Sequence, residues 1–140
     1  MSAKDLRREL ILSLKDVYQL EAFGSLEDLL QGESVVLQYL ALHREEVVYP
    51  SDLSRELRLS RSRITSTLTS LRRKGCVEMQ HSQDDRRRIR VTITRDGLAL
   101  IFEKLAGMDR YFDRMIAGLG SEETKELIRL IRHCVEVKTE

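Results

Sequence analysis

Leu59-Ser60-Arg61-Ser62-Arg63-Ile64-Thr65-Ser66-Thr67-Leu68-Thr69-Ser70-Leu71-Arg72-Arg73-Lys74-Gly75 is the stretch on which the fold turns. Ile64, Leu68 and Leu71 recur at helical spacing and make one thin apolar seam. Ser60 is a suitable N-cap and Gly75 a suitable stop, so a helix is predicted over 61–74. Opposite the seam lie Ser62, Ser66, Thr69 and Arg73, flanked by Arg63, Thr65 and Ser70. Solvated helix faces ordinarily mix both signs of charge. Between residues 57 and 77, however, no acid accompanies Arg58, Arg61, Arg63, Arg72, Arg73 and Lys74. A helix with little to bury and a broad face of short polar and basic side chains is suited to meeting a polyanion.

The flanking sequence gives that helix a setting. Pro50-Ser51-Asp52 opens a preceding helix, because proline at the first position loses only an N–H that would be unpaired anyway. Leu53 and Leu57 are its inward pair, it ends near Arg58, and Leu59-Ser60 forms the turn. Two helices joined by a short turn, the second polar and basic outside, read as a helix-turn-helix. Downstream, Val77, Met79 and His81 alternate with Glu78 and Gln80, and Ile89, Val91 and Ile93 alternate with Arg88, Arg90 and Thr92. This is a β-hairpin around a polar loop, 82–87, that ends in arginines: a wing. His81 is in phase with its inner face and is expected packed or half-exposed. Upstream, a helix over 33–44 turns Val36, Leu37, Leu40 and Ala41 inward, and Val47-Val48-Tyr49 is a three-residue strand candidate.

The ends of the chain read differently. Leu6, Leu10, Leu14, Val17 and Tyr18 form a helical stripe over 5–21, widened by Ile11, Leu12 and Leu20. Gly24 and Ser25 are expected to interrupt it before a short helix over 26–30. Thr94 caps a long helix whose Leu98, Ile101, Leu105, Met108, Phe112, Met115 and Leu119 are heptad-like, with Gly118 and Gly120 ending it. Ser121-Glu122-Glu123-Thr124 starts a last helix with Leu127, Ile128, Ile131, Cys134 and Val135 inward. These terminal helices carry more apolar surface than one winged lobe covers. A two-fold interface is therefore expected at Leu6, Leu10, Leu14, Val17, Leu127, Ile131 and Cys134. The fold class is mainly α with a small β-hairpin wing (α+β): a winged helix-turn-helix at 33–94 as the DNA-binding lobe, with dimerisation helices at 1–31 and 95–140.

Length and composition agree. The 140 residues suit one domain; 41% apolar residues permit a core, and 34% charged residues suit wet helix faces. Net charge is only +1, yet the window 55–90 holds eleven bases against four acids, leaving the rest of the chain net acidic. Such a layout gives one face that attracts a polyanion. No signal peptide and no membrane span are legible, which points to a cytoplasmic protein without a membrane partner. Cys76 and Cys134 form no framework, and each reads better as a small buried hydrophobe than as a redox switch. His43, His81 and His133 pair with no Cys or carboxylate at a metal-ligand spacing, so neither metal nor cofactor is expected. Glu45-Glu46 and Glu122-Glu123 read as solvated helix ends, and Tyr18, Tyr39, Tyr49 and Tyr111 as packing residues. No catalytic constellation is present, and no enzyme is expected.

Recognition in a major groove needs hydroxyls for bases or phosphates and arginines that bond two guanine acceptors at once. Ser60, Arg61, Ser62, Arg63, Thr65, Ser66, Thr69 and Arg73 supply that mix. Arg86 and Arg87 at the wing tip are long enough for a minor groove. The runner-up is a winged-helix protein-interaction module that does not read DNA, since fold alone does not fix function; the arginine density argues against it.

The hairpin Asp85-Arg86-Arg87-Arg88-Ile89-Arg90-Val91-Thr92-Ile93-Thr94 resembles the D-x-R-x-x-x-V-x-L-T wing signature of the MarR (multiple antibiotic resistance regulator) family, with Ile93 in place of leucine. The stretches 59–66 and 71–75 resemble that family's recognition helix and closing glycine. The resemblance implies a homodimeric transcriptional regulator, with interlocked first and last helices, that reads a pseudo-palindrome in double-stranded DNA. It implies that Arg87 enters the minor groove and that Asp85 braces the wing through a salt bridge. It also implies a repressor relieved by a small, often aromatic or phenolic, ligand.

Overall fold

The computed structural model describes residues 1–137. Seven helices and one hairpin follow in the order α1 (Ala3–Tyr18), α2 (Glu21–Leu29), α3 (Gly32–Leu42), α4 (Pro50–Leu57), α5 (Arg61–Arg73), β1 (Val77–His81), β2 (Ile89–Ile93), α6 (Arg95–Leu119) and α7 (Ser121–Glu136). The class is the expected one, mainly helical with a two-stranded antiparallel wing.

The core belongs to the middle of the chain. Val36, Leu37 and Leu40 of α3, Leu53 of α4, and Ile64, Leu68 and Leu71 of α5 are buried with Val77, Val91 and Ile101. Each such side chain contributes roughly 1.5–3 kcal/mol by leaving water. The thin seam of the basic helix is therefore sufficient: its three apolar residues are all buried, and its remaining faces are free.

Local chemistry sets the element ends. Ser60 Oγ accepts the Arg63 N–H at 3.2 Å, and Thr94 Oγ1 accepts the Gly97 N–H at 3.1 Å, so both expected caps are in place. The turn between α4 and α5 pivots on Arg58, whose left-handed φ of 54° is unusual for a side chain with a Cβ. Ser54 holds that turn: its carbonyl accepts from Leu59 N at 3.2 Å and its hydroxyl donates to Leu59 O at 2.5 Å. Gly97 is required by a close approach. A Cβ there would lie 2.2 Å from the Cys76 carbonyl oxygen, where the end of α5 runs against the start of α6.

Four expectations need correction. The break after the first helix falls at Gln19-Leu20, not at Gly24, which lies inside α2; Ala22 and Leu29 bury that helix and keep it whole. The short strand at 47–49 is a single bridge, Val48 to Val91, with Val91 N donating to Val48 O at 2.8 Å. Gly118 is accommodated within α6, and Gly120 alone, at φ 85°, ends it. Cys76 is buried as expected, but Cys134 is exposed on α7. No helix of the described residues is long and apolar enough to cross a membrane.

Candidate nucleic-acid interface

α5 presents its polar face outward. Ser60, Arg61, Ser62, Arg63, Thr65, Ser66, Thr69 and Arg73 are all exposed, and they share one side of the lobe because the buried seam fixes the helix's rotation. Arginine pairing separates this helix from its neighbour. On α4, Arg55 is bound to Asp52 at 2.9 Å and to Glu56 at 3.4 Å. On α5, Arg61, Arg63 and Arg73 form no ion pair among the described residues, and neither do Arg86 and Arg87 of the wing. Their guanidinium groups are solvated and available to an anion.

The hydroxyls are more constrained. Thr65 Oγ1 donates to Arg61 O at 2.9 Å and Thr69 Oγ1 to Thr65 O at 2.8 Å, so each hydroxyl proton is already engaged within the helix. Ser70 is turned away from this face. It donates to the Glu33 carboxylate at 2.5 Å, and Lys74 reaches the other oxygen of that carboxylate at 2.7 Å. Burial raises the pKa of Glu33, but hydrogen bonds from Lys74 and Ser70, with the charges of Lys74 and Lys104, outweigh it and hold the carboxyl below its ordinary value. Glu33 thus ties the last turn of α5 to the first turn of α3.

The wing loop is braced from within. Asp85 Oδ1 accepts the Arg87 N–H at 3.0 Å, and Asp85 O accepts the Arg88 N–H at 3.0 Å. The expected salt bridge is absent among the described residues; Asp85 acts on the backbone instead, as an acidic residue in a turn commonly does. His81 is exposed rather than packed, because only the base of the hairpin, Val77 and Met79 with Val91 and Ile93, packs on the core, and its Nδ1 bonds to Arg86 O at 2.8 Å.

One contact was not legible in the sequence. The Arg88 guanidinium lies 3.6 Å from the centroid of the Tyr49 ring, and the Tyr49 hydroxyl stands 3.3 Å from the hydroxyl of buried Ser82. The strand candidate at 47–49 named no partner; it is the Val48–Val91 bridge of the structure that places Tyr49 beside the root of the wing. Of the residues expected at an interface between subunits, Val17 is half-buried, while Leu6, Leu10, Leu14, Leu127, Ile131 and Cys134 are exposed. Among the described residues no group of three or more His, Cys, Asp or Glu is placed to hold a metal ion.

A helix pair with an unpaired basic face, followed by an arginine-tipped hairpin, is a winged helix-turn-helix arrangement. The MarR family pattern matches residues 28–88, the segment that runs from the end of α2 through the wing loop. The HTH-type transcriptional repressor YetL of Bacillus subtilis (strain 168) is 24% identical over 128 residues, covering 88% of this chain and 77% of that protein. The YusO protein of Bacillus subtilis has the same fold, with a TM-score of 0.78 at 24% identity over 99% of this chain and 100% of its own. MepR of S. aureus is also similar. A mutant bound to an oligodeoxyribonucleotide has a TM-score of 0.64 at 20% identity, covering 97% of both chains. A form bound to ethidium bromide has a TM-score of 0.60 at 20% identity, covering 99% of this chain and 98% of that one. Over residues 28–88 the chain is thus similar to the MarR family, and the curated relatives it resembles are HTH-type transcriptional regulators.

Proposed function

We propose that the chain is a homodimeric repressor that binds a pseudo-palindromic site in double-stranded DNA, with α5 of each subunit in a major groove and the wing arginines in the adjacent minor groove. One observation carries the reading: every arginine of the outward face of α5 and of the wing tip is exposed and unpaired, while Arg55 on the neighbouring helix is neutralised. A chain under no demand to bind a polyanion has no reason to leave this face without acids.

Two-fold assembly is supported by the exposed leucines and isoleucines of α1 and α7, helices that bury no residue of their own in a single chain. Residues 1–31 and 95–140 are the dimerisation segments of this reading, and 33–94 the reading head. Such a dimer places two recognition helices about one helical turn apart, which matches a symmetric site. Repression accords with YetL, a repressor, and release by a small aromatic ligand with MepR, which binds ethidium.

The test is duplex binding measured across a range of salt concentrations. Wild-type affinity should fall steeply as salt rises. Arg87→Ala should lower affinity on the order of tenfold and reduce the salt slope by about one, with an unchanged melting temperature. Salt-insensitive binding, or none, would instead favour a module that meets another protein.

A further inference from the structure

Arg88 is the wing arginine that does not point to solvent alone. Its guanidinium is stacked on the Tyr49 ring at 3.6 Å, close enough for a strong cation–π contact, and it has no carboxylate partner among the described residues. The Tyr49 hydroxyl meets Ser82, whose N–H closes the wing loop onto Arg88 O at 2.8 Å. At its other end Tyr49 is the N-cap residue of α4, and its N–H donates to Asp52 at 2.9 Å.

The bonds from Asp85 and His81 fix the shape of the loop but not its direction. Direction is decided where the loop's root meets the lobe. There Tyr49 touches both sides of the loop, Ser82 entering and Arg88 leaving, while belonging to the helix-turn-helix. We propose that Tyr49 is the positioning residue of the wing: it clamps Arg88 and Ser82 so that Arg86 and Arg87 are held at a fixed angle to α5 and reach DNA together with it. Arg88 is then a structural member of the wing, its charge engaged by the ring. The inference rests on the reading of the lobe as a DNA reader.

The test compares wild type, Tyr49→Leu, Tyr49→Phe, Arg87→Ala and the Tyr49→Leu/Arg87→Ala double variant on a labelled mixed-sequence duplex of about three helical turns, at several salt concentrations. Tyr49→Leu removes no charge, yet it should lower affinity on the order of tenfold and flatten the salt slope by about one to two as Arg86 and Arg87 disengage. Tyr49→Phe keeps the stack and should lose less than about threefold. Added to Tyr49→Leu, Arg87→Ala should cost less than about twofold more, because the two act as one unit. Amide exchange at Ser82, Arg87 and Arg88 should quicken in Tyr49→Leu while that of α6 is unchanged. An unaltered salt slope, independent multiplying effects, or unchanged exchange in the loop would overturn the clamp and leave the DNA reading standing. A wild-type protein without salt-dependent duplex binding would overturn both.

Discussion

The winged lobe and the terminal helices both carry leucine and isoleucine, but they dispose of them in opposite ways. In the lobe, Leu37, Leu53, Ile64, Leu68 and Leu71 are each no more than 1% exposed. In α1 and α7, Leu10 is 62% exposed and Ile131 54%, and neither helix buries a residue. The lobe closes on itself because three helices and a hairpin surround one centre. The terminal helices pack mainly against one neighbour each, α1 on α2 and α7 on α6, and cannot. An apolar stripe kept in water costs solubility without contributing to the fold, so the difference argues for a second copy of the chain as its cover.

The largest expected effect separates the two regions outright. Deleting residues 1–19 removes α1 and spares α2, which contributes Leu29 to the core. Sedimentation should show loss of the dimer while circular dichroism shows a folded lobe. A truncated chain that remains dimeric would remove α1 from the interface. The next effect probes closure of the lobe. Gly97→Ala must push a methyl group into the Cys76 carbonyl and should cost about 1–3 kcal/mol in denaturant unfolding. Stability equal to wild type would mean that the seam between α5 and α6 yields easily.

The smallest expected effect lies at Glu33, which joins α3 to the end of the basic helix. Because the folded carboxyl titrates below its ordinary value of 4.5, its contribution is fully present above that value and is lost as pH falls through the lowered one. Glu33 is one-third exposed and Lys74 half-exposed, so screening limits the contribution to under about 1 kcal/mol. Glu33→Gln should melt slightly below wild type at neutral pH, and the gap should close in acid. A gap that does not change with pH would assign the effect to packing rather than charge.

The middle of the chain was legible because its signals agree with one another. The seam of Ile64, Leu68 and Leu71, the caps at Ser60 and Thr94 and the alternation of the hairpin all specify the same local geometry, and each has its expected place. What failed was local inference overridden by packing. Gly24 reads as a breaker, but a helix that anchors Leu29 in the core tolerates it. Cys134 shares a stripe with Leu127 and Ile131, yet periodicity says only that a face is apolar, not that one chain covers it. The Tyr49–Arg88 clamp was invisible for a different reason: it joins residues 39 positions apart through side-chain stacking, which leaves no periodic trace.

The central claim is that two copies of the winged lobe, joined by the exposed terminal helices, read DNA as a pair. Selection of binding sites from a random duplex pool at near-physiological salt tests it most directly. The account predicts enrichment of a pseudo-palindrome whose half-sites lie about one helical turn apart. Enrichment of a single unrepeated half-site, or of no sequence at all, would contradict it.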